Sequence, residues 1–588
     1  MALETGNLGQ INLAFVGDQE KVVPNGTVVS MPVQDTSFIV GPNDVGYPNQ
    51  YDGGYANEPE YPAGIFGKYE RMRDGLGFQI RQHKNLVRGT FWLLVLAGYI
   101  GYLVYALTLN FDRAQSLLWV TIAVILLVIY FNFFKVHTAV PAERIFKSIA
   151  ITIKPQQSRM QITFFLAFLV AVAVFLGFDT YSSPERLRAL AGVASVILLG
   201  VLFSQNPGRI NWRIVVSGLG FQFVFGLIVL RWDSGKDAFT FAGNAIQRVL
   251  SFANNGSDFV FSPGENDHYM AFRVMPVLLF ASFLISILYH IGAMGWFVEK
   301  IGWAIYIGLG TTACESISAA ANVFLGMTEA PLTIKPYMNL LTLSELFAVM
   351  SGGFATISGG LMVTFAAMGI DAKNLLAASV MNAPSALVMA KLLVPEVHKS
   401  KTRFKDLKRD TGTAYNVLDA AMTAAGCAVQ AISGILSMLI CAIAFLALVD
   451  AFLSYMGGLV DLPNLSLAMI SGYAFYPLAF LMGVDARECR IVGQLLGYKT
   501  FLNEFVAYTE LQKIVKNDPT ALSEKGQTIV TYALCGFANF SSVGIQLANF
   551  SVMAPGRKKD IVSIVLKALL AGFLANVLTA SVAGLLIG

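Results

Sequence analysis

Two glutamates set among apolar residues are the groups best placed to do chemistry in this chain. Glu329 stands in "GMTEAP" beside Thr328, and Glu504 stands in "FLNEFVAY" beside Asn503. A carboxylate at membrane depth costs roughly 2.5–3.5 kcal/mol on insertion scales, so its presence implies a use. When ionised it only accepts hydrogen bonds, and it favours ligands that offer hydroxyl or N–H donors. A vicinal diol can give both of its hydroxyls to one carboxylate. Each glutamate precedes an apolar run broken by glycine and small polar residues, "GFATIS" at 353–358 and "GFANFS" at 536–541. Asn539, Ser542 and Thr328 can donate or accept, and Phe354 and Phe537 offer faces to a ring. Lys499 is the one basic residue nearby. The set suits a neutral, polyhydroxylated, partly aromatic solute better than an anion.

Taken singly, each feature has a plainer reading. A glycine-rich break in a membrane helix is a packing notch, and a buried glutamate is a structural ion-pair partner, with Lys499 a candidate for Glu504. Glu315, in "ACESISAAAN", fits that structural role. The order glutamate hairpin, then broken span, occurs twice, and that repetition favours a shared central site. Glycines 353, 359 and 360 in one copy, and 536 and 544 in the other, are expected to permit the breaks. Backbone freed at membrane depth is tolerated where it lines a cavity or is buried in protein. It then presents carbonyls to a cation and amides to a polar ligand.

The elements that must hold these residues are membrane helices. Of 588 residues, 55% are hydrophobic and only 13% charged, against about a quarter charged in soluble domains. Apolar runs long enough to span recur along the chain. The expectation is an all-α polytopic protein with eleven transmembrane helices, at 90–109, 116–134, 162–178, 189–203, 214–230, 274–297, 346–370, 374–393, 431–456, 528–550 and 561–586. Two further interrupted segments, about 308–338 and 467–508, read as re-entrant hairpins. Residues 1–88 read as a largely disordered cytoplasmic tail, 89–205 as peripheral helices and 206–588 as the core. The basic residues before the first span place the N-terminus inside. With both hairpins re-entrant, the basic loop "HKSKTRFKDLKRD" and "GRKKD" also fall inside, the C-terminus falls outside, and the two glutamate units form an inverted repeat. Residues 238–253 look amphipathic and suited to the interface. Asn255-Gly256-Ser257 is then an external glycosylation sequon. The five cysteines show no metal or disulfide spacing. The net charge of +4 gives no reason to expect nucleic-acid binding. No HExxH, GxSxG or Walker lysine is present to suggest an enzyme.

At "GYKTFLNEFVAY" (497–508) the chain resembles the concentrative, sodium-coupled nucleoside transporters, solute carrier family 28. "GMTEAPL", "GFATISGG", "ASVMNAPSALVMAKLLVPE" and "YALCGFANFSSVGI" carry the same resemblance, which runs from about residue 210 to the end. It implies a plasma-membrane homotrimer that carries nucleosides inward with sodium by an elevator-like movement, with no other cofactor. It implies that Met327, Thr328, Glu329 and Leu361 face the nucleobase, and that Glu504, Phe537, Asn539 and Ser542 hold the ribose. Sodium would lie at Asn322, Leu325, Thr356 and Ile357. Many members have Gln where this chain has Met327, and the set Gly326, Met327, Thr356 and Ile357 is similar to that of purine-preferring members. Adenosine, guanosine or inosine are therefore expected over uridine. Proton coupling, or another neutral polyhydroxylated solute, stays open at this point.

Overall fold

In the computed structural model the described residues are 84–109, single positions among 111–125, 170, 172–181, 183–261, 272, 274–402 and 414–587. Contacts divide the chain into a unit of residues 1–157 and a unit of residues 158–588. Described secondary structure is helical throughout, with no strand among the described residues. Residues 84–88 of the expected tail belong to a helix that begins at Lys84; the rest of that tail, most of the expected spans at 116–134 and 162–178 and most of the basic loop after residue 402 lie outside the described residues.

The first unit contributes α1, Lys84–Leu109. The second opens with α2 (Leu187–Leu202) and α3 (Trp212–Leu230), then two helices rich in polar residues, α4 (Asp233–Ser251) and α5 (Ala253–Phe261). Next come α6 (Met275–His290), α7 (Ala293–Leu309) and α8 (Ala313–Ala321), followed by a 3-10 segment, Ala330–Leu340. A broken helix follows, α9 (Leu343–Ala355) and α10 (Gly359–Ala367), then α11 (Ala372–Leu393) and the long α12 (Val417–Gly458). Short helices α13 (Leu467–Ala474) and α14 (Tyr476–Leu481) lead to α15 (Cys489–Phe501) and α16 (Glu504–Asn517). A second broken helix, α17 (Glu524–Leu534) and α18 (Phe540–Met553), precedes α19 (Lys558–Leu586).

The expected count of eleven spans does not hold. Among the described residues, six helices are long and apolar enough to cross a membrane: α1, α3, the α9–α10 pair, α11, α12 and α19. A seventh appears if α6 and α7, bent by 77°, count as one. The reasons are local. The 274–297 run is split at Gly292, whose φ of 80° is left-handed and suits glycine. The 189–203 run forms a helix of only 16 residues. The 528–550 run is two short helices separated at 535–539. Hydrophobicity measures how long an apolar stretch is, not whether its hydrogen-bond ladder is continuous.

Capping defines the ends that matter. At α9, Thr342 Oγ1 accepts from Glu345 N at 3.1 Å while Glu345 Oε2 accepts from Thr342 N at 2.8 Å, a reciprocal capping box. Ser358 Oγ accepts from Leu361 N at the start of α10, Asn503 Oδ1 from Val506 N at α16, and Asn539 Oδ1 from Ser542 N at α18. Each restarts a helix after a break by satisfying an orphan amide. α11 and α19 form the interior, packing on each other and on α9; α11 also packs on α3 and α19 on α17. By contrast α12 leaves Ile440, Ile443, Phe445, Leu448, Phe452 and Tyr455 exposed.

The glycines expected to loosen the breaks act differently. None of 353, 359, 360, 536 or 544 has a positive φ. Several instead make room for close contact. A Cβ on Gly536 would lie 2.5 Å from Asn576 Oδ1 and 2.7 Å from Ala355 O, and one on Gly572 would lie 2.5 Å from Phe354 Cβ. Gly544 has open space around it.

Candidate functional site

The second break assembles around Glu504. This residue opens α16, directly after the N-cap Asn503, and both are buried. Glu504 Oε2 accepts from Asn539 Nδ2 at 2.7 Å. Asn539 is itself the N-cap of α18, so one side chain joins the start of α16 to the restart of the second broken helix. Ser541 Oγ lies 2.5 Å from Asn539 Oδ1 and 3.2 Å from Leu502 O, which adds a further tie at the same point. Ser542 and Phe537 are buried on either side of Asn539. A carboxylate holding one amide donor keeps acceptor capacity for hydroxyl donors.

The first break is built from Asn322 to Gly360. Asn322 ends α8 and is buried, and neither of its amide atoms has a hydrogen-bond partner among the described residues. Its Nδ2 would lie 2.7 Å from a Cβ on Gly352. Phe324 O, just after α8, accepts from Gly359 N at 2.8 Å, so the segment after α8 and the restart of α10 are joined through backbone. Thr356 is extended, with φ −119° and ψ 164°, and its Oγ1 donates to Gly352 O at 2.9 Å. Leu325, Thr356 and Ile357 are buried beside it. The unpaired carbonyl of an asparagine beside unwound backbone is the donor set a small hard cation takes.

Met327 and Leu361 are buried, Thr328 is half-buried and Glu329 is exposed. The two glutamates paired by sequence pattern therefore differ, with Glu504 enclosed and Glu329 open. The second broken helix also reaches the segment before the first. Asn549 Nδ2 of α18 approaches Thr328 O at 3.2 Å and Met327 O at 3.4 Å.

Lys499 is not the partner of Glu504. Fully buried, its Nζ donates to Ala533 O and to Asn576 Oδ1, both at 2.7 Å. Asn576 Nδ2 in turn donates to Ala355 O at 2.6 Å and Cys535 O at 3.0 Å, and Asn382 Nδ2 to Cys535 O at 2.6 Å. The carbonyl ends of α9 and α17, each the negative end of a helix dipole, thus converge on two amides and one ammonium. This hub fastens both breaks, and Asn576 and Asn382 were missed by sequence reasoning. The signal was a lone asparagine in each of two very apolar runs, "GFLANVLTAS" and "ASVMNAPSAL".

Glu315 is buried and paired. Its Oε2 accepts from Thr312 N at 3.0 Å, and it forms a buried ion pair with Lys391. Lys391 Nζ also donates to Ser344 Oγ at 2.8 Å. Asn255 is exposed on α5, while Ser257 of the same sequon is buried with its Oγ donating to Phe272 O.

Residues 191–264 match the family model described as Na+ dependent nucleoside transporter N-terminus, and residues 374–584 match its C-terminus. Residues 271–372, which include the first hairpin and its broken helix, match a model described as nucleoside recognition. Solute carrier family 28 member 3 of Mus musculus is 35% identical over 613 residues, covering 99% of this chain and 85% of that protein. Sodium/nucleoside cotransporter 1 of Homo sapiens is 40% identical over 523 residues, covering 86% and 79%. Among solved structures, CNTnw in an inward-facing substrate-bound state superposes with a TM-score of 0.65 at 38% identity, over 68% of this chain and 98% of that one. A CNTnw variant in an outward-facing state gives 0.64 at 38% identity, over 68% and 97%. The chain belongs to the Na+-dependent nucleoside transporter family, solute carrier family 28.

Proposed function

We propose that this multi-pass membrane protein uses inward sodium movement to drive nucleoside uptake, and that the two breaks divide the work between them. Sodium as the coupling ion and nucleosides as the cargo are the family's chemistry. In our assignment the second break holds the sugar: Glu504 takes the ribose hydroxyls, Asn539 and Ser542 supply further polar contacts, and Phe537 packs on the ring. Met327, Thr328, Glu329 and Leu361 face the base. Asn322, Leu325, Thr356 and Ile357 hold sodium. The observation that carries this reading is the buried Glu504–Asn539 pair, which leaves a carboxylate with acceptor capacity where two restarting helices meet.

Met327 accepts hydrogen bonds only weakly, and a polarizable thioether suits a larger ring, so purine nucleosides are favoured. Sodium at the first break would order the hairpin before substrate binds, and by linkage substrate would tighten sodium equally. Alternating access agrees with a relative seen in both inward- and outward-facing states. We assign residues 1–88 to a cytoplasmic tail, 89–205 to peripheral helices and 206–588 to the transport core. We further assign the protein to the plasma membrane with an extracellular C-terminus, and the apolar face of α12 to contact with lipid and partner protomers in a homotrimer.

The test is uptake of tritiated adenosine and uridine into vesicles, with sodium, choline or a proton gradient as the only driving ion. Sodium-dependent uptake with adenosine ahead of uridine is expected. Absence of ion-driven uptake of any nucleoside would reject the reading, and uridine ahead of adenosine would reject the purine preference alone.

A further inference from the structure

Gln546 has no place in the assignments above. It is completely buried, and neither its amide nitrogen nor its amide oxygen has a hydrogen-bond partner among the described residues. A buried amide left unsatisfied at both ends is costly, and in a binding protein it marks a place where a ligand completes the bonds. Its location supports that. Gln546 Nε2 fills the space that a side chain on Gly353 would need, and Met327 Cβ would lie 3.1 Å from the same added carbon. Gln546 therefore reaches from the second broken helix to the first, against Gly353 and beside Met327.

Register adds a second argument. Ser542 and Gln546 are four residues apart on the buried face of α18. At 1.5 Å per residue that is a step of about 6 Å along the helix, comparable to the offset of a base from its sugar. With the ribose at Asn539 and Ser542, the base would come level with Gln546. A primary amide offers a donor beside an acceptor, the pattern that lets glutamine read a purine edge in nucleic acids.

We propose that Gln546 is a base-reading residue of the transport site, supplying from the second broken helix the amide that Met327 does not supply from the first hairpin. The proposal rests on our placement of the sugar at the second break, and its test separates the two.

The full-length protein is reconstituted in proteoliposomes under an inward sodium gradient. Adenosine and uridine KM values are measured, with competition by 1-deazaadenosine, 7-deazaadenosine and 3′-deoxyadenosine. In Gln546→Leu the adenosine KM rises about three- to tenfold, the loss expected for one neutral hydrogen bond. Discrimination between adenosine and the deaza analogues falls by a similar factor. Sodium activation and the penalty for 3′-deoxyadenosine stay as in the wild type. Gln546→Asn, which keeps a shortened amide, recovers part of the discrimination.

Unchanged discrimination in Gln546→Leu overturns the proposal. So does a parallel loss for every nucleoside and for sodium, because that is the mark of a packing role. If the variant does not reconstitute, the wild type decides: adenosine binding no better than either deaza analogue overturns the assignment. A wild type indifferent to 3′-deoxyadenosine would refute the sugar placement instead. Equal uptake of adenosine and uridine would refute only the purine preference.

Discussion

Gly536→Ala strikes the point where the two breaks are fastened together. Its new Cβ would lie 2.5 Å from Asn576 Oδ1, 2.7 Å from Ala355 O and 2.8 Å from Asn576 Nδ2. Carbon–oxygen contacts settle near 3.3–3.6 Å, so the two oxygens must part from it by roughly 0.6–1.1 Å. Ala355 O is backbone at the end of α9, and Asn576 is held by Lys499, Ala355 O and Cys535 O, so neither side is free to give. Overpacking of this kind costs about 1–3 kcal/mol, which is about 5- to 150-fold in an equilibrium. The strain falls on both breaks, because Thr356 follows Ala355 and Phe537 follows Gly536 in the chain. The assay is sodium-dependent nucleoside uptake in proteoliposomes, with the half-saturating sodium concentration and the nucleoside KM measured separately. Both should rise. Gly544→Ala is the control: its Cβ meets nothing within 4 Å, and alanine favours the helix by about 0.5–1 kcal/mol. Its transport should match the wild type. A Gly536→Ala protein with an unchanged sodium constant would refute the claim that the hub couples the two breaks.

Four further outcomes follow from the same structure. Glu504→Gln removes a charge-assisted acceptor and should raise the nucleoside KM about tenfold or more, while 2′,3′-dideoxynucleosides lose far less; equal losses would refute the diol contact. Lys391→Met leaves Glu315 buried without its cation, which costs about 3–5 kcal/mol, and adding Glu315→Gln should restore most of the thermal stability of the solubilised protein. Met327→Gln should improve uridine uptake relative to adenosine, measured as the ratio of their kcat/KM values. Burial pushes the Asp179 carboxyl up, but hydrogen bonds and charge from Arg186 and Arg231 more than reverse this and hold it below the ordinary carboxylate value of 3.8. The resulting stability is complete above that ordinary range and is lost as pH falls through the lowered native value, so Asp179→Asn should flatten the acid limb of a thermal-melt profile.

The points where the chain breaks and restarts carry short-range signals. The polar restarts Ser358, Asn503 and Asn539 are N-cap residues placed after apolar runs, and capping is decided within four residues. The two "GFA" breaks each follow a glutamate segment in the same order, which is a pattern read along the chain. The span count failed because composition is additive while a helix is cooperative: one left-handed glycine at 292, or five residues at 535–539, divides an apolar run that a hydropathy sum reads as whole. Tertiary structure alone decided which distant groups meet. It enclosed Glu504 and opened Glu329, sent Lys499 to the carbonyl of Ala533 and to Asn576 instead of to Glu504, and set Gln546 against Gly353 across nearly two hundred residues. A buried polar group takes whichever partner satisfies it in three dimensions, and sequence separation places no limit on that choice.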